Sequence, residues 1–119
     1  PERVAALRLV RTAASVAEAV EEIVVERGER PIVVATSARP DAAADSRRIS
    51  YERGRQMLKT PGARPWLLLF GTGWGMTAEL LARADFVLPP LDAGTGYNHL
   101  SVRTAAAVVL DRLRGLRDE

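Results

Sequence analysis

The sequence predicts an α/β domain in which a parallel sheet is flanked by helices. Three observations carry that reading. Two short apolar runs, Pro31 to Ala35 and Trp66 to Phe70, have the length of strands buried on both faces. Stretches of helical periodicity lie between and beyond them, so strand and helix signals alternate along the chain. The second run leads directly into a glycine-rich turn, Gly71, Gly73 and Gly75, and then into a helical stretch, Met76 to Ala84. In open α/β sheets, ligands bind just outside the carboxyl ends of the strands, where such turns lie.

In chain order, Leu7 to Arg11 has a strand-like pattern. Ser15 and Glu18 then form an S-x-x-E capping box that opens a helix. Val16, Ala19, Val20, Ile23 and Val24 share one face of it, with Glu21, Glu22 and Glu26 largely off that face. Gly28 closes the helix, and the strand Pro31 to Ala35 follows, running into Thr36, Ser37 and Ala38. Arg39 to Ser50 is polar and reads as a loop. Ser50 caps a helix over Tyr51 to Lys59, which Pro61 and Gly62 end. After the strand, turn and helix over 66–84 come a short strand, Phe86 to Leu88, a Pro89-Pro90 stop and a loop over Asp92 to Gly96. A last helix spans Leu100 to Arg114, capped by Asn98 or Ser101 and closed by Gly115. Its apolar face is Val102, Ala105, Ala106, Val109, Leu110 and Leu113.

Composition narrows the function. At 119 residues the chain is one domain at most, and 47% hydrophobic content suits a globular core. Net charge is only +2, which permits nucleic-acid binding without demanding it. Residues 39–59 hold a local surplus of cations: Arg39, Arg47, Arg48, Arg53, Arg55 and Lys59 against Asp41, Asp45 and Glu52. Such a stretch either meets phosphates or is a solvated surface. There is no cysteine and one histidine, His99, so a protein-built metal site is not expected. No apolar run approaches the roughly 20 residues of a membrane span, and the cytoplasm is the expected compartment.

The glycine turn departs from known phosphate-binding patterns. Its third glycine comes one residue too early for GxGxxG, and no Gly-Lys-Ser/Thr is present. Its glycines either permit a tight turn or let backbone approach a ligand closely. Asn98 and Ser101 are either helix caps or site residues, and Arg103 is either a surface cation or an acceptor-orienting one. His99 is a proton carrier or a hydrogen-bonding scaffold; Trp74 and Tyr97 stack on a ligand or fill the core. Asp85 and Asp111 read as solvated helix-end residues.

Two stretches together resemble a known family: LLLFGTGWG at 67–75 and LPPLDAGTGYNHLSVRTAAAVVLDRL at 88–113. Their wording and order are similar to the SPOUT class of S-adenosylmethionine-dependent RNA methyltransferases. The nearer likeness is to a bacterial family related to the cofactor domain of tRNA guanine methyltransferases. The resemblance runs from Pro1 to Gly115. It implies a C-terminal trefoil knot, which the usual connection rules would not suggest. It implies S-adenosylmethionine as cofactor, held by three turns. Those turns supply Thr36, Ser37 and Ala38; Leu69, Phe70, Gly71, Thr72, Gly73 and Gly75; and Leu88, Pro89, Leu91, Tyr97, Asn98, His99 and Leu100. Arg103, Asn98 and Ser101 fall where the family places its catalytic region.

The resemblance further implies methyl transfer to tRNA or ribosomal RNA and a homodimer when the domain is complete, with no metal and no membrane. Residues 1–119 read as one SPOUT-like domain that lacks the family's N-terminal strand and helix, the C-terminal part of a longer domain. Apolar surface at Ile32, Val34, Leu67 or Leu69 is then expected to be exposed. The alternatives are a non-catalytic module for dimerisation or RNA binding, and an unknotted nucleotide-binding domain.

Overall fold

The chain divides into two compact units, residues 1–31 and 32–119. The computed structural model describes residues 11–36, 47–71, 77–91 and 101–116. The strand expected over Leu7 to Arg11 lies, but for Arg11, outside them.

The first unit contains helix α1, Val16–Arg27. Its start follows the local code. Ser15 Oγ accepts from the Glu18 amide at 3.1 Å, and Glu18 Oε2 accepts from the Ala14 amide at 3.1 Å. The glutamate thus closes on the residue before the cap. Gly28, at φ 75°, takes the left-handed conformation that ends the helix, and its N–H bonds Val24 O. Val16, Ala19, Val20, Ile23 and Val24 are all half-buried, as their spacing predicts.

The second unit is organised on three described strands: β1 (Ile32–Thr36), β2 (Trp66–Leu69) and β3 (Phe86–Leu88). They pair in the order β2-β1-β3, all parallel. Between and after them come α2 (Tyr51–Lys59), α3 (Ala78–Ala82) and α4 (Val102–Arg114). Strands alternating with helices are the arrangement that parallel pairing requires. α3 is shorter than the expected Met76 to Ala84, because Thr77 is its cap, accepting from the Leu80 amide at 3.1 Å.

Among the described strands the central one is β1, not β2. Val33, Val34 and Ala35 are 2%, 0% and 0% exposed, whereas every residue of β2 is only half-buried. The expectation that Trp66 to Phe70 is buried on both faces is corrected accordingly. An apolar run reports how well the two faces are covered; it carries no information on whether a neighbour lies on both sides. The sheet also extends past β3. Arg48 bridges Val87, and the Ile49 N–H donates to Val87 O at 3.0 Å. Residues 48–49 therefore leave the expected loop, through a contact too brief to show any periodicity.

One sheet face is covered by α2 and α4. Val34 and Leu88 pack with Val109 and Leu113, ringed by Ile49, Tyr51, Leu58, Trp66 and Phe70. Within this cluster Val34 is fully buried and Ile32 half-buried; Leu67 and Leu69, outside it, are also half-buried, so none of the four positions is fully exposed. On α4, Ala105, Val109 and Leu113 form the inward line. Val102 and Leu110 were expected on the covered face but are 47% and 51% exposed, because they sit one helical row aside. Asp85 is exposed, as expected, but it also receives the Val33 N–H at 2.8 Å and donates its own N–H to Val33 O at 2.8 Å. It completes the hydrogen bonding of β1 before β3 begins.

The α2–α4 contact depends on Gly54. A Cβ there would stand 3.0 Å from Leu113 Cδ2 and 3.2 Å from Trp66 Cη2. Arg55 then fastens the helices, donating to Arg112 O at 2.8 Å and to Gly115 O at 3.2 Å. The Arg112 guanidinium lies 5.3 Å from the centroid of the Tyr51 ring, within cation–π range. No helix among the described residues is long and apolar enough to cross a membrane.

Two outcomes follow from this interface. Gly54→Val should cost about 1–3 kcal/mol by overpacking, read as a lowered midpoint in urea. Tyr51 Oη is buried with no hydrogen-bond partner among the described residues. Desolvation pushes the Tyr51 pKa up, against a smaller downward pull from Arg112. A phenol whose folded pKa is raised stabilises the fold while it stays protonated, and that stability is lost as pH rises through the folded value. Tyr51→Phe should flatten the alkaline fall in melting temperature above about pH 10 and leave neutral-pH stability equal or higher. Melting curves from pH 7 to 11 check both.

Candidate functional site

Register brings the strand ends together. Ala35 stands opposite Leu69, and Thr36 opposite Leu88, so all three described strands finish at one edge. That edge is where α/β sheets place ligands. Thr36 Oγ1 donates to Leu69 O at 3.0 Å, so the hydroxyl braces β1 against β2 at the rim.

The side chains at this edge divide by the pleat. Leu88 is 1% exposed and belongs to the core, so only its backbone can meet a ligand. Phe70 and Leu91 are half-buried and pack against the same core. Leu69 and Gly71 are also half-buried, while Pro89 is exposed. Across Thr36, Leu69 to Gly71 and Leu88 to Leu91 the described rim has no charged side chain. Such a rim suits a neutral heteroaromatic ring, with apolar side chains for its face and backbone groups for its polar edge. Nothing charged on it opposes a cationic centre in the same ligand.

Beyond Leu91 in sequence, the next described element is α4. Ser101 is the cap of the two candidates: its Oγ accepts from the Thr104 amide at 3.2 Å and donates to Thr104 Oγ1 at 2.9 Å. Arg103 is exposed in the first turn. Of the other expected site residues, Ser37, Ala38, Thr72, Gly73, Gly75, Tyr97, Asn98, His99 and Leu100 lie outside the described residues, as does Trp74.

Sequence reasoning missed the role of Arg47, which acts on the elements that lead to this edge. Its Nη1 donates to three carbonyls at the end of α3: Leu81 O at 3.2 Å, Ala82 O at 3.0 Å and Ala84 O at 2.8 Å. Leu81 O also accepts the Ala84 N–H at 3.1 Å, and a cation suits a helix C-terminus. No local pattern marks this role, since the partners are more than thirty residues away.

Comparison with known proteins adds four matches. The family described as SAM-dependent RNA methyltransferase matches over residues 1–115. A protein of Oleidesulfovibrio alaskensis named tRNA (guanine-N(1)-)-methyltransferase is 48% identical over 115 residues, 97% of this chain and 25% of its own length. One of the same name from Nitratidesulfovibrio vulgaris is 43% identical over 115 residues, with the same coverage. The chain thus spans about a quarter of the length of these curated relatives. Among solved structures, a probable methylase family protein from Haemophilus influenzae superposes with a TM-score of 0.68 at 21% identity. That match covers 96% of this chain and 47% of the other, and it is a likeness of fold.

Proposed function

The chain belongs to the SAM-dependent RNA methyltransferase family, and on that premise we propose that it binds S-adenosylmethionine at the strand ends and presents its methyl group to an RNA. The observation that carries the reading is the family match, whose 1–115 span includes all three strand-end turns. The rim fits the group. Half-buried Leu69 and Leu91 offer apolar surface to an adenine, and the absence of cationic side chains on the described rim leaves a sulfonium unopposed. The group supplies an already activated methyl, so the protein's part is position and electrostatics.

On this reading Thr36 holds β1 and β2 in register beneath the ligand, and the backbone at Leu88 and Pro89 borders the adenine edge. The resemblance assigns further contacts to Ser37, Ala38, Phe70, Gly71, Thr72, Gly73, Gly75, Tyr97, Asn98, His99 and Leu100. Arg103 orients the acceptor or meets a phosphate, with Asn98 and Ser101 beside it in sequence. A base is required only if the acceptor must lose a proton. The relatives' names favour tRNA as the acceptor over ribosomal RNA. The reading also includes a SPOUT-type knot at the C-terminal end, a single domain over 1–119, a homodimer and a cytoplasmic location. Exposed Val102 and Leu110 on α4 are compatible with a dimer surface.

Calorimetry on the full-length protein tests this. S-adenosylmethionine and its demethylated product should bind, with NAD and ATP at least about tenfold weaker, a gap of about 1.4 kcal/mol. Arg103→Ala should lower transfer of a labelled methyl group to bulk tRNA more than it lowers cofactor affinity. Tight NAD binding without response to the methyl donor would overturn the assignment. Donor binding without labelling of any RNA would favour a non-catalytic module.

A further inference from the structure

We propose that Arg47 is a positioning residue for the strand-end site, setting the cofactor turns through α3 and β3 without touching the ligand. The inference rests on the cofactor reading above. Three observations meet at this residue. Its side chain holds the end of α3, with two N–H groups of one nitrogen shared among the carbonyls of Leu81, Ala82 and Ala84. Its backbone neighbours hold β3, through the Arg48–Val87 bridge and the bond from the Ile49 N–H to Val87 O. In sequence it is where the chain returns to the sheet after Thr36, Ser37 and Ala38.

Each of these elements frames a proposed ligand turn. α3 follows the glycine turn 71–75, and β3 runs directly into Leu88, Pro89 and Leu91. α3 has five residues, too few to persist without tertiary support. What holds it among the described residues is the Thr77 cap at its start, buried Leu81 and the Arg47 contacts at its end. The link from α3 to β3 is only Arg83 to Asp85, so a shift of the helix end carries into the strand. Charge-assisted bonds to backbone are strong enough to decide between two placements of so short a helix.

The donor geometry makes a specific demand. All three bonds come from Nη1, a point-like arrangement that a lysine ammonium with its three donors can reproduce. A methionine keeps the stem's packing and loses every donor. Arg55, which clamps Arg112 O and Gly115 O at the far end of α4, is a matched control of the same chemistry away from the strand ends.

The test compares S-adenosylmethionine affinity and melting temperature for the full-length protein and three variants. Arg47→Met should weaken binding at least tenfold. Arg47→Lys should stay within threefold of the unsubstituted protein, and Arg55→Met should lose melting temperature yet also stay within threefold. Unchanged affinity in Arg47→Met overturns the proposal. So does equal loss in Arg55→Met, or failure of Arg47→Met and Arg47→Lys alike to fold, since the residue is then structural only. If the unsubstituted protein binds no S-adenosylmethionine, the cofactor reading itself falls and takes this inference with it, a result distinct from every variant-specific outcome.

Discussion

The second unit depends on the pairing of β1 on both of its edges. Parallel ladders leave no backbone group of a central strand in water, and here Val33, Val34 and Ala35 are almost wholly enclosed. Where β3 does not yet reach, the Asp85 carboxylate takes the Val33 N–H, so the ladder is finished by a side chain. At the other end the Thr36 hydroxyl donates to Leu69 O, so a β1 side chain ties the strand to β2. With β1 anchored near both ends, the three strand termini are held level, and a common rim exists.

The helical layer turns that sheet into a folded body. Val34 and Leu88 supply the sheet side of the core, Val109 and Leu113 the α4 side, and Gly54 lets α2 come close enough to close it. Two arginines bond carbonyls at helix ends, Arg47 at the end of α3 and Arg55, from α2, at the end of α4. Both belong to the stretch that composition alone marks as a cationic surplus. Part of that surplus is therefore spent inside the fold on backbone carbonyls, and is not available as a surface for phosphates.

Much of the site was legible because its signals are local. A strand that ends in glycines or prolines, followed by a capped helix, can be read within a dozen residues, and Thr36, Leu69, Gly71 and Leu88 do border one edge. The family resemblance added the cofactor, through wording that no periodicity explains. Less legible was the division of labour at that edge. The Leu88 side chain belongs to the core, which leaves its backbone for the rim; Ser101 looks ambiguous and caps the helix. Both outcomes depend on where the pleat and the helix start point each side chain, which spacing alone does not state.

The sequence by itself determined the order of the described strands and helices and several of the helix ends. Ser15, Ser50 and Ser101 cap helices, and Gly28 closes one, through bonds that span three or four residues. Alternating strand and helix signals determined the parallel α/β class by the same short-range physics. Only the tertiary structure decided that β1 lies at the centre and β2 beside it, that Ile49 joins the sheet, and that Val102 and Leu110 stay outside the core. It alone assigned Asp85 to Val33, 52 residues away, and Arg47 to Ala84, 37 residues away. The reason is that caps and periodicity are set by neighbours along the chain. Partners for Asp85 and Arg47 are set by which backbone groups remain unpaired once strands and helices have been brought together, and no stretch of sequence holds that information on its own.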